Sequence, residues 1–121
     1  FALRRAALGV VRIVLDNLLS NALKYTPQGT IRLRAWNENG AIRLSVVDTG
    51  QGFTAQESDQ LFTRFYRTPE VRAQHIPGTG LGLAIVCEIL KQNHGQVEAR
   101  SAGMGCGASF IVVLPVNPSP T

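Results

Sequence analysis

A predicted helix near the start of the chain restricts the possible folds more than any other segment. Its apolar residues recur at the 3.6-residue period of a helix, at Leu8, Val11, Leu15, Leu18, Leu19, Ala22 and Leu23. The opposite arc carries Asn17, Asn21 and Lys24, which stack at spacings of four and three residues. Asparagine is a poor helix former because its amide competes with the backbone for hydrogen bonds. Such a face is either a solvated surface or a binding surface.

Length and composition indicate one globular domain covering residues 1–121, with a net charge of +4. No apolar run is long enough to span a bilayer, and no signal-peptide pattern opens the chain. Because the chain does not begin with Met, we expect a piece of a longer protein. The arginines are scattered, without a basic run, which argues against a nucleic-acid partner. Cys87 and Cys106 lack metal-site spacing and are expected to be small buried residues in a reducing cytoplasm.

The periodicity changes along the chain in a way that predicts a two-layer α/β sandwich, with helices on one face of a mixed, largely antiparallel sheet. The first two strands should form an antiparallel hairpin, with one face packed on the helix and the arginines in water. The predicted elements are a helix at 3–25, strands at 31–36 and 42–46 joined by the turn Asn39-Gly40, a short helix from Thr54 that continues through Arg67, a helix at 81–92, and strands at 96–101 and 108–114.

Local signals mark several ends of these elements. Thr54 and Glu57 have the spacing of a capping box at a helix start. Gly95 follows a predicted helix at a usual C-cap position. Residues 68–77 lose periodicity and contain two prolines, and residues 116–121 should form a flexible tail.

Two glycine motifs are placed where backbone must turn sharply or approach a ligand. Asp48-x-Gly50-x-Gly52 leaves a strand, and Gly78-x-Gly80-x-Gly82 leads into a helix. A glycine loop at a helix start presents free N–H groups to an anion, and the helix dipole adds a favourable field. The second motif follows a long loop rather than a strand, and no GKS or GKT follows it, so neither a Rossmann fingerprint nor a P-loop is present.

Taken in order, these motifs resemble those of sensor histidine kinases. Residues 17–26 resemble the N box, 48–52 the first glycine box, 61–67 the F box and 78–86 the second glycine box, while 105–110 resemble a slightly irregular third glycine box. The resemblance implies the Bergerat ATP-binding fold, shared with type II topoisomerases, mismatch-repair ATPases and a heat-shock chaperone. That family domain usually has another strand and helix before the N box, so this version looks N-terminally shortened.

The resemblance also implies roles for individual residues. Asn21, with Asn17 as a second ligand, would hold Mg²⁺ through amide oxygens, and Lys24 would meet the phosphates. Asp48 would accept a hydrogen bond from the adenine amino group. The implied ATP-binding set is Asn17, Asn21, Lys24, Tyr25, Asp48, Gly50, Gly52, Phe53, Gly78, Thr79, Gly80, Leu81, Gly82, Leu83 and Ser109.

For catalysis, the resemblance implies that Arg67 contacts the γ-phosphate, with Arg64 as its rival and Lys24 assisting. Residues 53–78 would form the ATP lid. Phe62 and Phe65 would fasten this lid to the core or to a partner helix, or serve simply as core residues. Ser109 and Cys106 depart mildly from the family pattern.

Neither histidine has the sequence context of a phosphoacceptor, since His75 precedes Ile76-Pro77 and His94 precedes Gly95. The expected function is therefore transfer of phosphate from ATP-Mg²⁺ to a histidine on a separate dimerisation domain, which feeds a response regulator. The domain should be cytoplasmic and not inserted in a membrane. The alternatives are an ATPase of the topoisomerase or chaperone type, a degenerate nucleotide-binding or docking module, and a serine kinase that restrains sigma factors. Asn17 stands where the hydrolytic relatives have a glutamate base, and an amide cannot deprotonate water.

Overall fold

A computed structural model describes residues 5–58, 60–62 and 82–115 of the chain. The elements are α1 (Arg5–Tyr25), β1 (Ile31–Glu38), β2 (Ala41–Asp48), α2 (Ala55–Ser58), α3 (Gly82–Gln92), β3 (Gln96–Arg100) and β4 (Ala108–Pro115). This is the predicted order, and the strand ends differ by one or two residues from the prediction. The short helix is an exception, because it ends at Ser58 and residues 60–62 form a turn. Its predicted continuation at 63–67 lies outside the described residues.

The four strands form one sheet in the order β1-β2-β4-β3, and every neighbouring pair is antiparallel. The predicted two-layer sandwich is confirmed, but the sheet built from the described strands is antiparallel throughout rather than mixed. The reason is topological. After β2 the chain continues through α3 and forms β3, which runs in the same direction as β2. However, β4 lies between these two strands and pairs antiparallel with both.

The core lies between the helices and one face of the sheet. Its completely buried residues are Val14 and Leu18 of α1, Val46 of β2, Val86 of α3 and Val112 of β4. The predicted apolar arc of α1 is correct near its centre and wrong at its ends. Leu8 is 55% exposed and Leu23 is 67% exposed. The helix buries a narrower face, which runs along Val10, Val14, Leu18 and Ala22, so these two leucines lie on its flank.

The expected packing of the first strand on the helix is also wrong in part. Leu33 is 45% exposed and Ala35 is exposed, although both lie on the sheet face that the helices cover. The cause is the position of β1 at the edge of the sheet, whereas α1 packs against β2 and α3. Arg32 and Arg34, on the other face, are exposed to solvent as expected.

Two turn and cap predictions agree with the backbone. Asn39 and Gly40 both have positive φ, at 54° and 76°, as a tight hairpin turn requires. The capping box is confirmed, because Thr54 N donates to Glu57 Oε1 at 2.8 Å and Glu57 N donates to Thr54 Oγ1 at 3.2 Å.

The end of α3 differs from the prediction. His94, with φ of 62°, adopts the left-handed conformation that was expected at Gly95. His94 N donates to Lys91 O at 3.2 Å, and Gly95 N donates to Leu90 O at 2.7 Å, which together form a Schellman motif. Gly95 has a different role, because a Cβ there would lie 2.9 Å from the Val113 carbonyl oxygen. His94 is thus an exposed capping residue.

The two cysteines are both free, as expected, but their burial differs from the prediction. Cys87 is half-buried on α3. Cys106 is exposed, because it lies in the turn before β4 rather than in the core.

Candidate functional site

Asp48 is the last residue of β2, and its side chain is directed into the helix-covered side of the sheet. It is only 6% exposed. Its Oδ1 accepts a hydrogen bond of 2.9 Å from the backbone N–H of Gly50, which folds the chain sharply as it leaves the strand. Burying a carboxylate is unfavourable unless hydrogen-bond donors compensate for the lost water. Asp48 is therefore a fixed acceptor at the end of the sheet.

The glycine loop after Asp48 lies on the C-terminal end of α1. Gln51 N donates to the Tyr25 carbonyl oxygen at 3.2 Å. A Cβ on Gly50 would overlap that same carbonyl oxygen and would lie 2.5 Å from Thr26 Oγ1. Glycine at position 50 therefore allows the backbone to approach α1, and it places Tyr25 beside the loop that carries Asp48.

The turn between β3 and β4 packs on the other side of the same loop. Gly107 N donates to Gly50 O at 3.1 Å, and Gly105 N donates to Gln51 O at 2.6 Å. Gly52 has φ of 67°, and a Cβ there would overlap Gly103 O and lie 2.7 Å from Gly107 O. The first and third glycine boxes are thus joined backbone to backbone. We call this contact the glycine junction, formed by residues 48–53 and 101–107.

Ser101 is the centre of the glycine junction, and sequence reasoning did not single it out. Its Oγ accepts hydrogen bonds from Phe53 N and Gly103 N, each at 3.2 Å. The same hydroxyl donates to Gly107 O at 2.6 Å and lies 3.1 Å from Gly103 O. A serine that ends a strand just before a glycine-rich turn is the only sequence signal, and such serines commonly bond nearby backbone.

Asn17 lies on α1 opposite the start of α3. Its Nδ2 donates to Ile13 O at 2.8 Å, which directs the amide oxygen away from its own helix. A Cβ on Gly82, the first residue of α3, would lie 3.2 Å from Asn17 Oδ1. Glycine at position 82 therefore lets the start of α3 approach the Asn17 amide oxygen closely.

The remaining polar residues of the α1 face follow in the next turns. Asn21 and Tyr25 are half-buried, and Lys24 is exposed. The first turn of α3 contains no acidic residue, so no side chain of that turn opposes the positive end of the helix dipole.

The amide oxygens fit a hard cation such as Mg²⁺, which prefers oxygen ligands and retains several waters. Asn17 Oδ1 in particular lies against the start of α3, since a Cβ on Gly82 would be only 3.2 Å from it. Within residues 5–58, 60–62 and 82–115, no group of three or more His, Cys, Asp or Glu residues lies close enough to hold a metal ion. A cation at this site would therefore depend on the amides of α1 and on its own phosphate or water ligands.

Aromatic residues connect the start of the predicted lid to the core. Phe53 is buried and packs against Phe110, with ring centroids 6.3 Å apart. Phe62 meets the same Phe110 edge-on at 6.4 Å. Leu83 is half-buried against the core cluster. Phe62 thus packs on the core of this chain, which fits both the lid-fastening role and the simple core role expected for it.

Ser109 is a correction to the predicted site. It pairs with Val47 in the β2–β4 register, whereas Asp48 pairs with Ala108. Because side chains alternate between the two faces of a strand, Ser109 lies on the sheet face opposite Asp48. The residue of β4 directly opposite Asp48, on the same sheet face, is Ala108, which is buried and carries no polar group.

Several predicted site residues lie outside the described residues, and their roles stay predictions. They are Arg64, Arg67, Gly78, Thr79, Gly80 and Leu81. Phe65 of the predicted lid and His75, which was not predicted to be a site residue, also lie outside. Most of the proposed lid and the tail at 116–121 fall outside as well. Among the described helices, none combines the length and the apolar character needed to cross a membrane.

Comparison with known proteins places this geometry in a family. The family model of histidine kinase-, DNA gyrase B- and HSP90-like ATPases matches residues 9–118. This chain belongs to that family. The match contains both the glycine junction and the Asn17–Gly82 contact, so the features described above lie within the shared domain.

Curated relatives of this ATPase-family chain are sensor kinases. The circadian input-output histidine kinase CikA of Synechococcus elongatus is 40% identical over 106 residues, which are 87% of this chain and 14% of CikA. The phosphate regulon sensor protein PhoR of Pseudomonas aeruginosa is 43% identical over 101 residues, which are 83% of this chain and 23% of PhoR. The chain therefore spans less than a quarter of either relative.

Solved structures agree with this assignment. The mycobacterial sensor histidine kinase MprB superposes with a TM-score of 0.77 at 30% identity, covering 91% of this chain and 72% of that structure. Full-length ShkA, which was solved in complex with AMPPNP, also has a TM-score of 0.77, at 32% identity, and the match covers 93% of this chain and 23% of ShkA. The Bergerat-type fold predicted from the sequence is confirmed.

Proposed function

We propose that this chain is the ATP-binding catalytic domain of a sensor histidine kinase. It binds ATP with Mg²⁺ and transfers the γ-phosphate to a histidine on a separate dimerisation domain of the same receptor, and a response regulator receives the phosphate afterwards. The observation that carries the proposal is the position of Asn17 Oδ1, which faces the glycine start of α3 on the helix-covered side of the sheet that also holds Asp48. The family membership and the sensor-kinase relatives support it.

The adenine base of ATP would bind at the glycine junction. Asp48 is a buried acceptor held in place by Gly50 N, and it suits the exocyclic amino group of adenine. Tyr25, half-buried at the end of α1, offers a flat surface for the ring. Since a base without an amino group would give Asp48 no hydrogen bond beyond the one from Gly50 N, the site should prefer adenine to hypoxanthine by about 1–3 kcal/mol.

The phosphates are held between α1 and α3. Asn17 and Asn21 hold Mg²⁺ through amide oxygens, and the N–H groups at the start of α3 face the phosphates together with its dipole. A Mg²⁺ ion held by these amides would supply positive charge to the phosphate oxygens. Lys24, exposed on the same helix, adds a mobile positive charge. Transfer itself is assigned to Arg67 or Arg64, which spread the developing negative charge.

The acceptor is supplied by another domain. His94 caps α3 with its backbone in the left-handed conformation. This structural role accounts for the histidine without a role as phosphoacceptor. Asn17 also disfavours the rival assignment as an efficient ATPase, because its amide cannot remove a proton from water. The helix places Asp16 about 100° away from Asn17, on an exposed surface. The expected location is the cytoplasm, where ATP is available.

Nucleotide binding is tested by calorimetry with AMPPNP, with and without Mg²⁺. Asp48→Asn should weaken binding by roughly 10-fold to 100-fold, because a lost buried acceptor is worth about 1–3 kcal/mol. The exposed Asp16→Asn is the matched control and should leave the titration unchanged. Asn21→Ala should weaken only the Mg²⁺-dependent part, with the exposed Asn37→Ala as its control. Equal affinities for Asp48→Asn and the unsubstituted chain would refute the base-reading assignment.

Phosphotransfer is tested with radiolabelled ATP and the dimerisation helices of a sensor kinase. Acid-labile phosphate should appear on the acceptor histidine and not on this chain. Rapid release of inorganic phosphate in the absence of the acceptor would instead support the assignment as an ATPase.

A further inference from the structure

The sheet face opposite the nucleotide site carries an uncovered surface. None of its outward side chains is buried among the described residues. We call this surface the open face, and the strand registers assign to it Arg32, Arg34, Trp36 and Glu38 of β1, Ala41, Arg43, Ser45 and Val47 of β2, Gln96, Glu98 and Arg100 of β3, and Ser109, Ile111, Val113 and Pro115 of β4. It shares no side chain with the proposed ATP site.

The arrangement on the open face is unusual for a solvated antiparallel sheet. Such a face normally carries polar residues. Here the two central strands present Val47, Ile111 and Val113, whereas the charged residues lie mainly on the two edge strands β1 and β3. Apart from Arg43 on β2, the centre is uncharged and lies between two charged edge strands that form its rim, which is the composition of a protein-binding surface.

The rim has more positive than negative charge. The open face has four arginines. Arg43, on the central strand β2, lies 3.1 Å from Glu38, and Arg100 bonds Glu98 at 2.9 Å, which raises the pKa of that guanidinium. Arg32 and Arg34 have no carboxylate partner within the described part of the chain. Both are exposed on the same edge strand, so two guanidinium groups remain available to a partner.

A depression of about 280 Å³ lies at the end of the sheet, where Val47 and Ser109 of the open face meet Asp48 and Ala108 of the helix-covered face. Its walls include Val47 and Ser109 on the sheet, Arg100 on the rim, and Ala102 and Cys106 in the turn before β4. In the strand register Arg32, Val47, Ser109 and Arg100 form one row across all four strands. Because strands lie about 4.8 Å apart, the two arginines of this row are roughly 14 Å apart, and the depression lies on the Arg100 side of the row.

We propose that the open face is a docking surface for an acidic protein segment, which pairs its carboxylates with Arg32 and Arg34 and inserts an apolar side chain beside Val47. Nucleic acid fits less well. Single strands bind through exposed aromatic rings, but the Trp36 ring is half-buried and covered by Arg34, whose guanidinium carbon lies 5.3 Å from the ring centroid.

The probe is a fluorescein-labelled peptide with four glutamates around a central leucine, measured by fluorescence anisotropy at low salt. The double variant Arg32→Glu/Arg34→Glu should weaken peptide binding about tenfold, since exposed ion pairs and their reversal change affinity by roughly this amount. The matched control is Arg12→Glu/Lys91→Glu, which makes the same change of net charge at exposed helix positions outside the open face. It should change binding less than twofold. Circular dichroism verifies that both variants fold.

Three outcomes would overturn the proposal. Equal losses in the two double variants would mean that only net charge matters. Displacement of the peptide by Mg²⁺ and AMPPNP would place it in the nucleotide site. Tighter binding of a single-stranded oligonucleotide of equal charge would identify a different class of partner. Backbone amide shifts on exposed residues of β1 and β2, together with a weaker affinity when serine replaces the peptide leucine, are the positive result.

Discussion

Gly52 is the position at which a single methyl group should disturb the glycine junction most. Its φ of 67° is in the left-handed region, where a residue with a Cβ costs about 1–3 kcal/mol. The added Cβ would also overlap Gly103 O and lie 2.6 Å from Ser101 Oγ and 2.7 Å from Gly107 O. Two of these three atoms are backbone carbonyl oxygens, which cannot rotate away. Overpacking of this kind costs about 1–3 kcal/mol more. Gly52→Ala should therefore destabilise the chain by roughly 2–6 kcal/mol.

Substitutions at two other glycines separate the cost of the left-handed backbone from the cost of the steric overlap. Gly105 has φ of 79°, but no atom lies within 4 Å of the position that an added methyl group would take, so Gly105→Ala should cost only the backbone contribution of about 1–3 kcal/mol. Gly9 lies within α1, also with open space around it. Gly9→Ala should stabilise the chain by about 0.5–1 kcal/mol, because alanine is the better helix former.

The assay is urea denaturation of the three variants and the unsubstituted chain, followed by far-ultraviolet circular dichroism. The free energies of unfolding should rank Gly9→Ala highest, then the unsubstituted chain, then Gly105→Ala, with Gly52→Ala lowest. A Gly52→Ala variant as stable as Gly105→Ala would refute the close approach of the two loops. A loss of that size is a large part of the 5–15 kcal/mol that typically holds a domain folded, so the measurement should begin at low temperature.

Three further substitutions test single contacts. Ser101→Ala leaves Phe53 N and Gly103 N without their acceptor, so it should lower the free energy of unfolding by about 1–3 kcal/mol and weaken AMPPNP binding in calorimetry. His94→Gly relieves a left-handed residue and should raise the midpoint of thermal unfolding, with a gain of about 0.5–1 kcal/mol; a lower midpoint would mean that the imidazole itself stabilises the cap. Thr54→Ala removes half of the capping box and should cost about 1 kcal/mol in urea denaturation, whereas the exposed Thr30→Ala is not expected to affect α2.

The sequence predicted the element order because the periodicity of each segment is strong and local. It failed where tertiary position decided the outcome. Leu33 alternates correctly with its neighbours for a half-buried strand, but β1 is an edge strand beyond the reach of α1, so the residue is 45% exposed. Leu8 and Leu23 fit the helical period as well, yet they lie on the flank of the buried face. The hydrophobic period identifies the apolar face of a helix or strand, but it does not show how much of that face the packing element covers.

The candidate site shows the same division. The spacing marked the motif of Asp48 and Gly50, the resemblance supplied their roles, and the structure places them together because the contact spans only two residues of chain. Ser109 was carried over by resemblance, and a register that only the folded sheet determines puts it on the other face. Ser101 was missed for the opposite reason. Its importance depends on hydrogen bonds with Phe53 and Gly107, and the spacing of these residues in the sequence does not predict those hydrogen bonds.

The two halves of the proposed nucleotide site are built by different means, and this difference should separate stability from affinity. The base side is the glycine junction, where backbone hydrogen bonds such as Gly107 N to Gly50 O and the hydroxyl of Ser101 hold the loops together before any ligand binds. Substitutions there should change unfolding and binding together. On the phosphate side, the hydrogen bond that Asn17 donates is an exposed one to Ile13 O, within its own helix. Asn17→Ala should therefore leave the free energy of unfolding nearly unchanged while it weakens Mg²⁺-dependent binding of AMPPNP, since exposed hydrogen bonds contribute little to stability. A loss of stability in this variant as large as that of Ser101→Ala would contradict this division between a preformed base site and a phosphate site completed by its ligand.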